Sequence, residues 1–106
     1  MLARVQLPPT AKPGEVIEVR ITIQHPMETG FRFDLGGRPI PKNVVSSLVA
    51  RYNGVEVFRA DMGSGIAANP YLQFCTVATR SGEIEFSWVD DVGNRGAEHA
   101  AISVTG

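Results

Sequence analysis

The clearest signal along the chain is an alternation of apolar and polar residues over positions 15–25. Four β-branched residues alternate there with four polar ones: Ile17, Val19, Ile21 and Ile23 against Glu18, Arg20, Thr22 and Gln24. Successive side chains of a strand point to opposite faces, so this period of two predicts a strand with one buried face. The same pattern recurs at 83–89, where Ile84, Phe86 and Trp88 alternate with polar residues. These seven apolar side chains are therefore the predicted core.

Turn residues separate the remaining apolar segments. Asn53-Gly54 favours a type I′ hairpin turn, because both central residues of that turn take positive φ. The turn joins predicted strands at 44–52 and 55–61, and its register places Arg51 opposite Glu56 and Val49 opposite Phe58. Further strands are predicted at 2–7, 71–78 and 97–104. The segments 26–43, 62–70 and 90–96 are predicted loops, the first with a small hairpin turning at Gly36-Gly37.

Composition supports the same fold class. The chain has 12 Val and 7 Ile against 5 Leu, and stiff β-branched side chains favour strands. Its 106 residues are enough for one domain with one core. We therefore predict a single all-β domain over 1–106, an immunoglobulin-like two-sheet β-sandwich of about seven antiparallel strands.

Charge and cysteine content narrow the range of partners. The net charge of −1 provides no basic surface for a nucleic acid. No apolar run approaches the ~20 residues that span a bilayer, so no membrane partner is expected. The single cysteine allows neither an internal disulfide nor a Cys-rich zinc site. Residues 1–14 contain no apolar stretch of the kind that a secretory signal requires, which predicts a cytoplasmic protein or one whose leader was removed.

Three patterns with possible chemistry have simpler interpretations. The segment 63–68 matches G-x-G-x-x-A, but Asn69-Pro70 and a predicted strand follow instead of the helix that binds phosphate, so we predict a loop. The set His25, Met27, Cys75 and His99 contains the ligand types of a blue-copper site, although Cys75 lies within a predicted strand and no Met follows it. Without a basic neighbour in sequence, Cys75 is expected to be a buried or half-buried structural residue.

The segment HPMETG at 25–30 is harder to explain as a turn. A turn at the end of a strand needs Pro and Gly, but it does not need His, Met and Glu together. An exposed Met offers adaptable apolar contact, and His and Glu offer polar anchors, so the segment is a candidate partner-binding site. A solvated loop remains the alternative.

Four segments together resemble the SoxZ family. They are HPMETG at 25–30, Asn53-Gly54, Asn69-Pro70-Tyr71-Leu72 with Phe74, and Ser87-Trp88-Val89-Asp90. They occur in the order and spacing of that family, and the resemblance runs from about residue 15 to residue 104. The chain departs from the family pattern at 75–80, where the family has a Gly- and Lys-rich turn.

The resemblance implies a non-catalytic protein without a cofactor. SoxZ proteins pair with SoxY, whose mobile C-terminal tail bears a cysteine that carries sulfur intermediates between the enzymes of bacterial thiosulfate oxidation. The resemblance implies that this chain supports such a carrier and makes transient contact with the Sox enzymes. On the family motif, the residues expected to be exposed and to contact a partner are His25, Met27, Glu28, Thr29, Arg32, Asn69 and Tyr71.

The resemblance also implies a location and an assembly. SoxZ proteins reach the periplasm bound to a SoxY chain that bears the export signal, so we expect periplasmic co-export without a signal peptide of its own. A stable heterodimer is expected, and a homodimer when the partner is absent. Two other classes stay open: an immunoglobulin-like binding or structural module with an unrelated partner, and a metal protein.

Overall fold

The computed structural model describes residues 2–63, 65–66 and 68–106, and within them the chain forms strands and no helix. The eight strands are β1 (Ala3–Gln6), β2 (Thr10–Ala11), β3 (Val16–Ile23), β4 (Val45–Tyr52), β5 (Val55–Asp61), β6 (Tyr71–Val77), β7 (Gly82–Asp90) and β8 (Arg95–Val104). The described residues therefore include no helix that is long and apolar enough to cross a membrane. Ser64 and Ala67, which belong to the G-x-G-x-x-A segment, lie outside the described residues.

The strands form two sheets. One has three strands in the order β1-β3-β6, and the other has five in the order β2-β8-β7-β4-β5. This arrangement confirms the predicted all-β sandwich. The prediction of seven antiparallel strands missed β2, which pairs in parallel with the end of β8. A two-residue strand between Pro9 and Pro13 is too short to show an alternation in the sequence.

The core lies between the two sheets. Every one of the seven apolar side chains predicted to be in the core is buried. They face further buried side chains from the rest of the sandwich: Val45, Leu48, Ala50, Tyr52, Phe74 and Ile102. The period-two pattern of β3 and β7 therefore identified the inner faces of both sheets.

The β4–β5 hairpin agrees with its predicted turn but not with its full register. Asn53 and Gly54 both have positive φ, at 48° and 84°. Arg51 lies opposite Glu56 as predicted. The predicted pairing of Val49 with Phe58 is wrong, because a bulge between Ala50 and Arg51 shifts the register and places Phe58 opposite Ala50.

The long segment between β3 and β4 forms a hairpin, which we call the arm (residues 28–43). Its two ends are joined by reciprocal backbone hydrogen bonds of 2.8 Å between Glu28 and Asn43. Further along, Ile40 N–H donates to Arg32 C=O at 2.8 Å and Asp34 N–H donates to Arg38 C=O at 2.9 Å. The predicted turn at Gly36-Gly37 is thus confirmed.

The arm accounts for the elongated shape of the molecule. The radius of gyration is 16.2 Å and the principal extents are 60 × 18 × 18 Å. A compact domain of this length has a radius of gyration of about 13 Å. The longest strand, β8, has 10 residues and spans only ~33 Å. The sandwich therefore fills about half of the long axis.

Candidate partner-binding site

The imidazole of His25 is buried at the point where the chain leaves β3. Its Nε2 lies 3.2 Å from Asp90 Oδ2 at the end of β7, and its Nδ1 accepts the N–H of Met27 at 2.9 Å. Because Nδ1 is an acceptor, the hydrogen bonds assign the neutral tautomer whose Nε2–H donates to Asp90. This bond joins the two sheets beside the root of the arm.

The carboxylate of Asp90 is the centre of that polar cluster. Its Oδ1 accepts the N–H groups of Val92 at 3.1 Å and Asn94 at 2.8 Å, and its Oδ2 also accepts the Asn94 side-chain amide at 3.1 Å. Burial on its own would raise the pKa of Asp90, but the hydrogen bonds from Asn94, His25 and Val92 outweigh it and lower the pKa. Asp90 is therefore a buried carboxylate whose charge is stabilised by hydrogen bonds from the protein.

Met27 belongs to the core. Its φ of 53° turns the chain, its side chain is 4% exposed, and its Sδ accepts the N–H of Val45 at 3.2 Å. A thioether sulfur is a weak hydrogen-bond acceptor, and here it binds the N–H of the first residue of β4. Met27 therefore fixes the root of the arm to the second sheet.

Asn69 forms hydrogen bonds with the backbone of His25. Its Oδ1 accepts the N–H of His25 at 3.0 Å, and its own N–H donates to the C=O of His25 at 2.7 Å. Its φ of 53° is one that Asn adopts more readily than most residues. Tyr71, two residues further on, is 53% exposed, and its hydroxyl lies 3.1 Å from Gln73 Oε1.

The remaining predicted site residues lie on the arm. Glu28 is half-buried and its Oε1 is 3.5 Å from an exposed Arg32 guanidinium nitrogen. Thr29 is also half-buried, and its Oγ1 accepts the N–H of Phe31 at 3.3 Å. At Gly30, where φ is 89°, a Cβ would meet Lys42 Cβ at 3.2 Å, so glycine lets the two sides of the arm approach.

The seven predicted site residues thus share one end of the sandwich but not one role. The expectation that all of them are exposed is wrong for His25 and Met27, which are buried beneath the arm. The sequence reasoning missed this because the partner of His25, Asp90, is 65 residues away in the chain. Whether Glu28, Thr29, Arg32, Asn69 and Tyr71 contact a partner stays a prediction.

Comparison with known proteins decides the family. The family model described as "Sulphur oxidation protein SoxZ" matches residues 5–101. The chain belongs to the SoxZ family. It is thus a protein of sulfur oxidation, and the resemblance carried by HPMETG and the three later segments is confirmed. No curated protein matches the chain in sequence at a significant level.

Solved structures share the fold of this SoxZ-family chain. A superoxide reductase (neelaredoxin) from Ignicoccus hospitalis is 17% identical with a TM-score of 0.75, over 99% of this chain and 81% of that one. A putative superoxide reductase from Thermotoga maritima is 15% identical with a TM-score of 0.74, over 98% and 86%. The sulfur carrier protein SoxY from Chlorobium limicola f thiosulfatophilum is 10% identical with a TM-score of 0.66, over 98% and 79%. At these identities the likeness shows the fold alone.

The residues of the copper hypothesis are not gathered in this SoxZ-family chain. Cys75 is exposed on β6 and His99 is exposed on β8, which belong to different sheets, while His25 is buried. Within residues 2–63, 65–66 and 68–106, no three His, Cys, Asp or Glu side chains form a group that could hold a metal. The expectation that Cys75 is buried or half-buried is wrong, because its neighbour Phe74 takes the inward position.

Proposed function

We propose that this chain is the non-catalytic subunit of a sulfur-carrier heterodimer. It binds a SoxY-type chain, whose C-terminal cysteine carries sulfur intermediates during thiosulfate oxidation, and it offers surface to the enzymes that act on that cargo. The observation that carries the proposal is the family match over residues 5–101, nearly the whole chain. A SoxY structure with the same fold is consistent with a pair of related sandwiches. The pair acts in the periplasm, which this chain reaches by co-export with its signal-bearing partner.

The geometry supports a presenting role. The sandwich has a core that spans both sheets, and the buried contacts of His25, Met27 and Asp90 hold an exposed hairpin at one end. A subunit that displays an ordered surface binds a partner with less loss of conformational freedom than a disordered segment does. This is the property that a supporting subunit needs.

Co-expression with a tagged SoxY-type chain from the same genome tests the proposal. We expect both chains to elute together in equal amounts after affinity and size-exclusion steps. An unrelated tagged β-sandwich protein, expressed with this chain in the same way, is the control and should not retain it. Recovery of the SoxY-type chain alone would contradict the proposal and favour a binding module with an unrelated partner.

Cys75→Ser is expected to leave sulfur-carrier turnover within a few fold of the wild type. Cys75 lies in the middle of β6 and pairs in register with Glu18 of β3, so its thiol cannot travel between active sites. A carrier thiol must visit several enzymes, which requires a flexible tether. The measurement is thiosulfate-dependent turnover by reconstituted Sox proteins, with the terminal cysteine of the SoxY-type chain changed to Ser as the positive control. Loss of turnover in a folded Cys75→Ser protein would make this thiol part of the chemistry.

A further inference from the structure

One side of the arm carries three large apolar side chains that its own chain leaves uncovered. Phe31, Phe33 and Leu35 are 84%, 66% and 110% exposed. Phe31 and Phe33 occupy alternate positions, so they project from the same side of the segment before the turn, and Leu35 follows in the turn at the tip. We call these three side chains the apolar side of the arm. Single exposed apolar residues are common, but three close together on a projecting hairpin are typical of an interaction surface.

The arm is nevertheless ordered by polar contacts. Asp34 Oδ1 accepts the N–H groups of Gly36 and Arg38, both at 2.9 Å, and closes the turn at the tip. At the root, Lys42 lies 3.8 Å from Asp91, whose Oδ2 also accepts the N–H of Val44 at 3.1 Å. These contacts use polar groups only. The apolar side chains are therefore not what holds the hairpin together, and they are free to be buried by another molecule.

We propose that the apolar side of the arm is the surface that binds the SoxY-type chain. This inference rests on the proposed function and names where the two subunits meet. Phe31, Phe33 and Leu35 insert into an apolar depression of the partner. The rest of the arm, with Arg32 and Arg38, lies over the rim of that depression.

The size of the surface fits a stable pair. Two phenylalanines and a leucine at these exposures present roughly 400–500 Å² of apolar area. A standard interface buries about 800 Å² on each partner, so these three side chains supply about half of one side. The backbone and polar side chains of a hairpin that lies in a depression supply the rest.

The charge of the arm indicates which side chains should surround the partner's binding site. Arg32, Arg38 and Lys42 carry positive charge, while Glu28 and Asp34 are its two carboxylates, and the Asp34 carboxylate closes the turn. Arg38 makes no ion pair with any residue that the structure describes. Acidic side chains around the apolar depression would complement this charge and set the orientation of the arm.

A second copy of this chain is the less suitable occupant. The chain has its own open apolar cleft of about 700 Å³, lined by Val55, Val57 and Val77, but at the end of the sandwich opposite the arm. An arm inserted into that cleft on another copy would leave a further arm and cleft free, and such head-to-tail contacts build filaments. A partner of different sequence closes the assembly at two subunits.

The test compares two variants in binding to the SoxY-type chain from the same genome. Phe31→Asp/Leu35→Asp places charge on the proposed surface, and Val16→Asp places one charge at the other end of the sandwich, where Val16 is 65% exposed. We expect the double variant to raise the Kd at least about tenfold and Val16→Asp to leave it within about twofold. Circular dichroism and thermal melting establish that both fold, and Phe31→Ser/Leu35→Ser replaces the double variant if it does not.

The outcomes separate this inference from the proposed function. If the wild-type chain binds the SoxY-type chain and the arm variants bind it with the same Kd, the arm is not the binding surface. The proposed function would still stand. Wild-type protein that does not bind the SoxY-type chain would overturn both. Arm variants that abolish self-association in sedimentation velocity, with the SoxY-type Kd unchanged, would assign the arm to a second copy and overturn the inference.

Discussion

Asp90→Ala is expected to lower the free energy of unfolding at neutral pH by about 3–5 kcal/mol. The substitution leaves several donors without their acceptor: the buried His25 Nε2–H and, in the partly buried loop, the N–H groups of Val92 and Asn94 and the Asn94 amide. Each buried polar group that loses its partner costs about 1–3 kcal/mol, reduced where the loop opens to water. The effect should be measured by urea unfolding, with exposed Asp61→Ala as the control expected within about 0.5 kcal/mol.

The loss of stability caused by Asp90→Ala should depend on pH, and the lowered pKa of Asp90 gives the direction. The pKa of Asp90 is lowered in the folded protein, so the unfolded chain takes up this proton at a higher pH than the folded one. The stabilisation is complete above the unfolded pKa, about 3.9, and is lost as the pH falls through the folded pKa. The difference between wild type and Asp90→Ala should therefore narrow below about pH 4. A difference that stays constant into that range, or one below 1 kcal/mol at neutral pH, would contradict the role given to Asp90.

Ile21→Ala is expected to cost about 2–5 kcal/mol of stability. Ile21 is fully buried in β3, where it faces the second sheet, and truncation removes three carbons and leaves a cavity in a close-packed core. Val16→Ala in the same strand is the matched control, since Val16 is largely exposed, and we expect a change within about 0.5 kcal/mol. Chemical unfolding of both proteins measures the difference. Equal, small losses would show that the inner face of β3 is assigned wrongly.

Local pattern was sufficient for most of the sandwich. The alternation in β3 and β7 fixed their inner faces, and Asn53-Gly54 fixed the hairpin turn, because each depends on neighbours in sequence. The bulge beside Ala50 could not be predicted, since a two-residue turn implies a continuous register and nothing in the sequence marks the extra residue on β5. The parallel pairing of β2 depends in the same way on the distant end of β8.

The site was harder to predict because its decisive contacts are long-range. HPMETG was singled out as hard to explain as a turn, and the exposure of its residues was expected from the family motif. Burial of His25 and Met27 depends on Asp90 and Val45, which come from the other sheet. The period-two pattern of Phe31, Phe33 and Leu35 was present in the sequence, within a segment whose many glycines and prolines indicated only a loop.

The most direct test is hydrogen–deuterium exchange of this chain, alone and in the presence of the SoxY-type chain from the same genome. The arm is a projecting two-stranded hairpin, so its amides should open to exchange more often in the free chain than those of the sandwich strands. Pairing through the arm predicts that exchange across residues 28–43 slows strongly when the partner is added, while the cleft around Val55 and Val77 is unchanged. Protection confined to that cleft, or no protection in any part of the chain, would contradict pairing through the arm.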